Sequence, residues 1–157
     1  MHGRDSASYS LLWFSVGRLD DVLTHSSGEK TVPAPMEAAI GASPMLSGVC
    51  MFGRGRSQTG VLVEPMPEYA VDVMDDRQIA EFKNLIWYVV FASPGAKFTL
   101  VARQEVEEAN KGAPAFSRIF KEMILVTSIK KPMQRTGKGT VSKKATMKLY
   151  EAEIDAL

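Results

Sequence analysis

The sequence lacks what several kinds of protein require. It has one cysteine, Cys50, and two histidines, His2 and His25. A lone thiol closes no internal disulfide, and so few ligands without metal spacing leave no structural zinc site. No apolar run is long enough for a bilayer: the longest nearly pure one, Leu85 to Ala92, is about half of the roughly 20 residues a spanning helix needs. Leu11 to Val16 is greasy, but Asp5 precedes it and Gly17-Arg18 follows where a small-residue cleavage site belongs. The expectation is a reduced, cytoplasmic protein without membrane attachment. Net charge is nearly absent too: 19 Lys+Arg against 18 Asp+Glu leave +1, so the whole molecule has no field to draw in nucleic acid or an anionic membrane.

What is present suits one globular domain or a piece of a larger protein: 157 residues, 45% apolar and 24% charged, enough for a packed core. Charge is distributed unevenly. Ser117 to Lys148 holds nine basic residues and one acid, Glu122, a local +8 that leaves −7 for the remainder. Such a stretch fits a phosphate-bearing partner or, equally, a solvated lysine face.

Periodicity and breakers give the coarse elements. Short strands are expected at Leu11 to Phe14 and Asp21 to His25, with turn chemistry at Ser26-Ser27-Gly28-Glu29. Pro33 and Pro35 bracket a helix start, with Met36, Ala39 and Ile40 at helical spacing and Gly41 near its end. Val49 to Phe52 and Val61 to Val63 read as paired strands around a long, mobile Gly53 to Gly60 loop. Asp75 or Asp76 can cap a helix striped by Ile79, Phe82, Leu85, Ile86 and Val89. Phe98 to Ala102 is strand-like, Gln104 to Asn110 helical and Met123 to Thr127 a continuous apolar strand. Pro132 to Thr140 is a basic loop, and Val141 to Leu157 can run as a terminal helix. Strands and helices mix without a repeating βα unit, so the class is α+β.

Four places could carry chemistry. In Arg135-Thr136-Gly137-Lys138-Gly139-Thr140 a lysine stands between two glycines just before a helix, the outline of a phosphate or carboxylate site, with a plain flexible turn as the alternative. It is not a P-loop, because Pro132 stands five before Gly137 and no Ser or Thr directly follows the lysine. Gly17-Arg18-Leu19-Asp20-Asp21 offers an arginine fork for phosphate or ribose, or a strand-end ion pair. Ser26 to Lys30 is a polar loop, and Gly53-Arg54-Gly55-Arg56 is a basic one. His25 has no nearby ligand partner in sequence, so a hydrogen-bonding role is expected, and no catalytic triad or carboxylate pair stands out.

In order along the chain, Gly17 to Asp21, His25 to Glu37, Phe52 to Pro65, Ala113 to Leu125 and Arg135 to Val141 resemble the C-terminal lid domain of AMP-forming acyl/aryl ligases. The adenylation domain of fungal nonribosomal-peptide-synthetase-like reductases is the most similar type. The resemblance implies a small mixed β-sheet with flanking helices over residues 11–157, after an irregular 1–10. It implies a two-step reaction: a carboxylate attacks the α-phosphate of ATP, giving acyl-adenylate and pyrophosphate, and the acyl group then passes to coenzyme A or a carrier protein's phosphopantetheine. On this likeness Lys138 is the catalytic and nucleotide-contacting lysine, carried on a flexible loop with Thr136, Gly137 and Gly139. Arg18 contacts nucleotide, Asp20 is the hinge of lid rotation, and Gly28, Glu29 and Lys30 belong to the loop lining the thiol tunnel.

The departures from the family pattern matter equally. The large N-terminal domain, with its phosphate loop and acyl pocket, is expected as a partner in cis or in trans, and Mg²⁺ is expected only with it. Alone, the chain is expected to show no ligase activity, because positioning supplies much of such catalysis. About 17 residues, roughly 88–104, interrupt what the family writes as one helix, and an unspliced intron or a faulty gene model is the expected source. Two alternatives stand beside the ligase reading. One is a non-catalytic nucleotide- or partner-binding module of the same fold. The other is a nucleic-acid-binding module, against which the basic stretch's lack of interleaved aromatics argues.

Overall fold

A computed structural model describes residues 21–87 and 105–157. The expected strands at Leu11 to Phe14 and Phe98 to Ala102, the irregular 1–10, Val89 and the 88–104 insert lie outside them.

Two hairpin strands, β1 (Leu23–Thr24) and β2 (Lys30–Thr31), pair antiparallel, with Leu23 opposite Thr31. Helix α1 (Pro33–Gly41) follows, begun by a proline whose fixed φ suits the first turn. It buries Met36 and Ile40, whereas Ala39, expected on the same stripe, faces out.

The main sheet has the order β3 (Leu46–Phe52), β4 (Thr59–Pro65), β5 (Ile119–Val126). β3 and β4 are antiparallel, while β4 and β5 are parallel, the connection running through α2 (Asp76–Trp87) and α3 (Glu105–Lys111). A parallel pair needs such a long crossover. Asp75 caps α2: its carboxylate accepts the N–H groups of Arg77 at 2.9 Å and Gln78 at 3.3 Å, and the Gln78 amide returns to it at 3.0 Å. Strand β5 starts four residues before the expected Met123, because Asn110 seizes both backbone groups of Ile119, donating to its carbonyl at 2.7 Å and accepting its N–H at 2.8 Å.

Side chains of β4 alternate between two cores. Val61 and Val63 join Ile40, Phe82, Ile86, Val106, Ile119 and Ile124 beneath α1 to α3. Leu62, with Cys50 and Phe52 from β3, faces Met133, Tyr150 and Ile154 on the opposite side. Covered on both faces and paired on both edges, the middle of β4, Val61 to Val63, is apolar without a break.

The expected single helix from Val141 is instead two, α4 (Lys143–Leu149) and α5 (Glu151–Asp155). Tyr150 separates them at φ −103° and ψ 15°; its ring is buried among Leu62 and Met133, and its hydroxyl donates to the Lys131 carbonyl. The loop 53–60, expected to be mobile, is fastened: Gly55 N–H donates to the Thr24 carbonyl at 2.8 Å, Ser26 N–H to the Arg56 carbonyl at 3.0 Å, and Arg56 pairs with Asp155 at 2.6 Å. Among the described residues no helix is long and apolar enough to cross a membrane.

Ile40 is fully buried where α1 meets α3 and β3. Ile40→Ala should cost about 2–5 kcal/mol in denaturant unfolding, the loss of transfer energy plus a cavity. A cost below about 1 kcal/mol would mean that α1 is not packed as described.

Candidate functional site

The Lys138 segment is a tight hairpin standing off the sheet face that α4 and α5 cover. Arg135 and Val141 pair as an antiparallel bridge, and Ser142 N–H closes on the Gln134 carbonyl at 2.7 Å. Nearer the tip, Thr136 N–H donates to the Thr140 carbonyl at 2.8 Å, Gly139 N–H to the Thr136 carbonyl at 2.9 Å, and the two threonine hydroxyls meet at 2.9 Å. Gly139 turns the chain with φ +81°, a backbone state that a side chain would strain. Residues 134–140 are all exposed, and the Lys138 side chain makes no hydrogen bond or ion pair among the described residues. Thr136, Gly137, Lys138 and Gly139 therefore share one presented tip.

The base of this hairpin is held firmly. Met133 is buried at 3% exposure. Glu64, at the end of β4, accepts the Ser47 hydroxyl at 2.7 Å and the Met133 N–H, and it pairs with Arg135. Burial pushes the Glu64 carboxyl up, yet the bonds from Ser47, Met133 and Arg135 outweigh it and hold the group below the usual glutamate range. Sequence reading missed Glu64; the available signal was a charge interrupting an apolar strand just before Pro65.

At the far side of the hairpin, Lys143 pairs with Glu37 of α1 at 2.7 Å and with Asp21 at 3.7 Å. Burial pulls its ammonium down, but Glu37 and Asp21 outweigh this and hold it above the usual lysine value. Glu37 also accepts the Met51 N–H at 2.9 Å, so the chain leaving the tip is tied to α1 and β3. Arg18 and Asp20, the expected nucleotide contact and hinge, lie outside the described residues.

The second candidate loop caps β1 and β2. His25 N–H donates to the Glu29 carbonyl at 2.8 Å, Gly28 N–H returns to the His25 carbonyl at 3.0 Å, and Gly28 takes φ +87°. Ser26 to Lys30 are exposed. Beneath them His25, at 3% exposure, hydrogen-bonds Thr31 at 2.7 Å through Nε2, and Thr31 meets Ser117 at 2.6 Å. The hydrogen-bonding role expected for His25 is thus observed at Nε2, while its buried Nδ1 has no partner among the described residues. The structure gathers Gly28, Glu29 and Lys30 on this hairpin and Lys138 on another element.

Part of the basic stretch is engaged within the domain, while Lys130, Lys138, Lys144 and Lys148 are exposed. Lys131 pairs with Glu153 and lies 4.4 Å from the Tyr150 ring, Lys121 donates to Asn84 at 2.8 Å, and Arg135 and Lys143 have carboxylate partners. Cys50 is fully buried, and burial, helped by Glu37, pushes its thiol up to about 12, which leaves it inert near neutral pH. Among the described residues no group of three His, Cys, Asp or Glu could hold a metal ion.

Because Glu64 titrates lower in the folded chain than in the unfolded one, its bonds add stability above about pH 4.3 and lose it as pH falls through the lowered native value. Glu64→Gln should therefore cost about 1–3 kcal/mol at pH 7 in urea unfolding, and the gap should shrink below about pH 4. A gap constant from about pH 7 to 3 would contradict this assignment.

Residues 20–157 match the family model described as AMP-binding enzyme C-terminal domain. The chain is 59% identical over 146 residues to the adenylate-forming reductase Nps9 of Serpula lacrymans, covering 93% of the chain and 12% of that protein. It is 27% identical over 145 residues to the carboxylic acid reductase of Neurospora crassa, covering 92% of the chain and again 12% of the relative. The chain thus spans about an eighth of the length of these relatives. Among solved structures it resembles the adenylation domain of the carboxylate reductase from Mycobacterium chelonae (TM-score 0.59, 16% identity, 90% of this chain and 20% of that one). It also resembles the carboxylic acid reductase A domain from Segniliparus rugosus, solved with AMP (TM-score 0.57, 16% identity, 90% and 20%). At such identity the likeness shows a shared fold. With the matched residues covering nearly all of its length, the chain belongs to the AMP-binding enzyme C-terminal domain family, the C-terminal part of adenylate-forming enzymes.

Proposed function

We propose that this domain is the lid of an ATP-dependent, AMP-forming acyl ligase module and that Lys138 is its catalytic residue. One observation carries the reading: in a domain of this family, a lysine unpaired among the described residues sits at an exposed hairpin tip whose base is anchored in the sheet. The carboxylate oxygen attacks the α-phosphorus of ATP, and the bond to the bridging oxygen breaks as pyrophosphate leaves. Negative charge moves from the carboxylate through the phosphoryl oxygens during that exchange. A compact ammonium placed between them stabilises the charge where it develops.

In the same proposal Gly28, Glu29 and Lys30 line the path of the thiol that takes the acyl group, coenzyme A or a carrier-bound phosphopantetheine. The two loops stand on separate elements of one domain, so turning the domain exchanges one set of contacts for the other. Arg18 would add a nucleotide contact and Asp20 the pivot. The large nucleotide- and acid-binding domain is the required partner, and a carrier domain is a further one. In this proposal Mg²⁺ binds with that partner. The ion-paired lysines and arginines weigh against nucleic acid as ligand.

Two outcomes test this reading. The chain alone, given ATP, Mg²⁺ and a panel of acids, should give no pyrophosphate exchange above background; Lys138-dependent turnover would contradict the need for a partner. Joined to the large domain of a fungal adenylate-forming reductase in place of that enzyme's own C-terminal domain, the chain should support exchange. There Lys138→Ala should lower kcat by about 10²- to 10³-fold. Unchanged exchange in that variant would remove Lys138 from the chemistry.

A further inference from the structure

The Arg135 guanidinium reaches in two directions. Nη2 donates to the Ser47 carbonyl at 3.2 Å and to the Glu64 carboxylate, both on the sheet. Nη1 donates at 3.3 Å to the carbonyl of Gly139, the residue directly after Lys138. Glu64 is itself fixed by the Ser47 hydroxyl and the Met133 N–H, with its side chain only 12% exposed. We propose that Arg135 and Glu64 are positioning residues, a strut that runs from the central strand to the peptide beside Lys138 and sets where its ammonium is delivered. The proposal rests on the reading of Lys138 above.

The tip needs such a strut for physical reasons. A Cβ placed on Gly137 or Gly139 would meet nothing within 4 Å, so packing does not restrain the tip at these two positions. A lysine on a loose tip delivers its charge diffusely, whereas donors in a reaction centre are effective because they are already in place. A shift of about 1 Å in such a group can cost on the order of 10² in rate. Arginine suits this position because its planar fork engages the sheet and the tip together, which a single ammonium does not. Glu64 holds that fork on a strand paired on both edges, so the tip inherits the sheet's rigidity.

A merely structural ion pair would lower stability and affect ATP binding and turnover alike. A strut predicts a split between them. In the fused protein described above, Arg135→Ala and Glu64→Gln should each lower kcat of pyrophosphate exchange by about 10- to 100-fold, with the KM for ATP within about twofold. Millimolar guanidinium should restore part of the rate to Arg135→Ala. Should Lys138→Ala leave exchange intact, the reading of Lys138 fails before the strut is tested. If Lys138→Ala is impaired while Arg135→Ala and Glu64→Gln keep kcat within about twofold, the strut is overturned and the lysine's role stands. A joint change in kcat and KM without guanidinium rescue also overturns it. Should Arg135→Ala not fold, hydrogen exchange of amides 137–140 in the unfused Arg135→Lys chain decides the question: faster exchange than in the parent supports the strut, and unchanged exchange overturns it.

Discussion

The role proposed for Lys138 depends on how the backbone beneath an exposed lysine is tied to the sheet. Here that link is the Glu64 carboxylate. It stands next to last in the central strand β4, whose residues Thr59 to Val63 are buried, and it gathers a hydroxyl from β3 and a backbone N–H and a guanidinium from the hairpin base. An exposed ion pair of this kind would contribute little, roughly 0–1 kcal/mol. Sheltered and hydrogen-bonded on several sides, the same carboxylate binds the hairpin base to the buried central strand of the sheet.

The rest of the domain divides its labour around that strand. One face is filled by α1 to α3, with the β1–β2 hairpin and its exposed Gly28 loop attached at the start of α1. The other face is covered by α4, α5 and the root of the Lys138 hairpin. Lys143 and Arg56 tie the two halves together, the first through Glu37 and Asp21, the second through Asp155. Two presented loops thus ride on one packed body, as the rotation proposed above would need.

Much of this was legible from residue order. The start of α1 at Pro33, the Asp75 cap of α2, the β3–β4 pair and the turn at Gly28 follow from local rules, and each is present. The Lys138 tip stood out because glycines flank a lysine just before a helix. Local rules missed what depends on distant partners. The 53–60 loop looked free because no neighbouring residue announces that Thr24, Ser26 and Asp155 will hold it. The break at Tyr150 arises from burying one aromatic ring against Leu62, a contact made across the sheet face. Glu64 and Arg135 are 71 residues apart, so no window of sequence shows them as a pair.

The most direct measurement is a structure of the domain fused to a large adenylation domain and bound to an acyl-adenylate analogue. The account predicts the Lys138 ammonium about 3 Å from both the phosphoryl and the acyl oxygens, with the Arg135 contact to the Gly139 carbonyl retained. Lys138 left in solvent, with another cation at that phosphate, would contradict it.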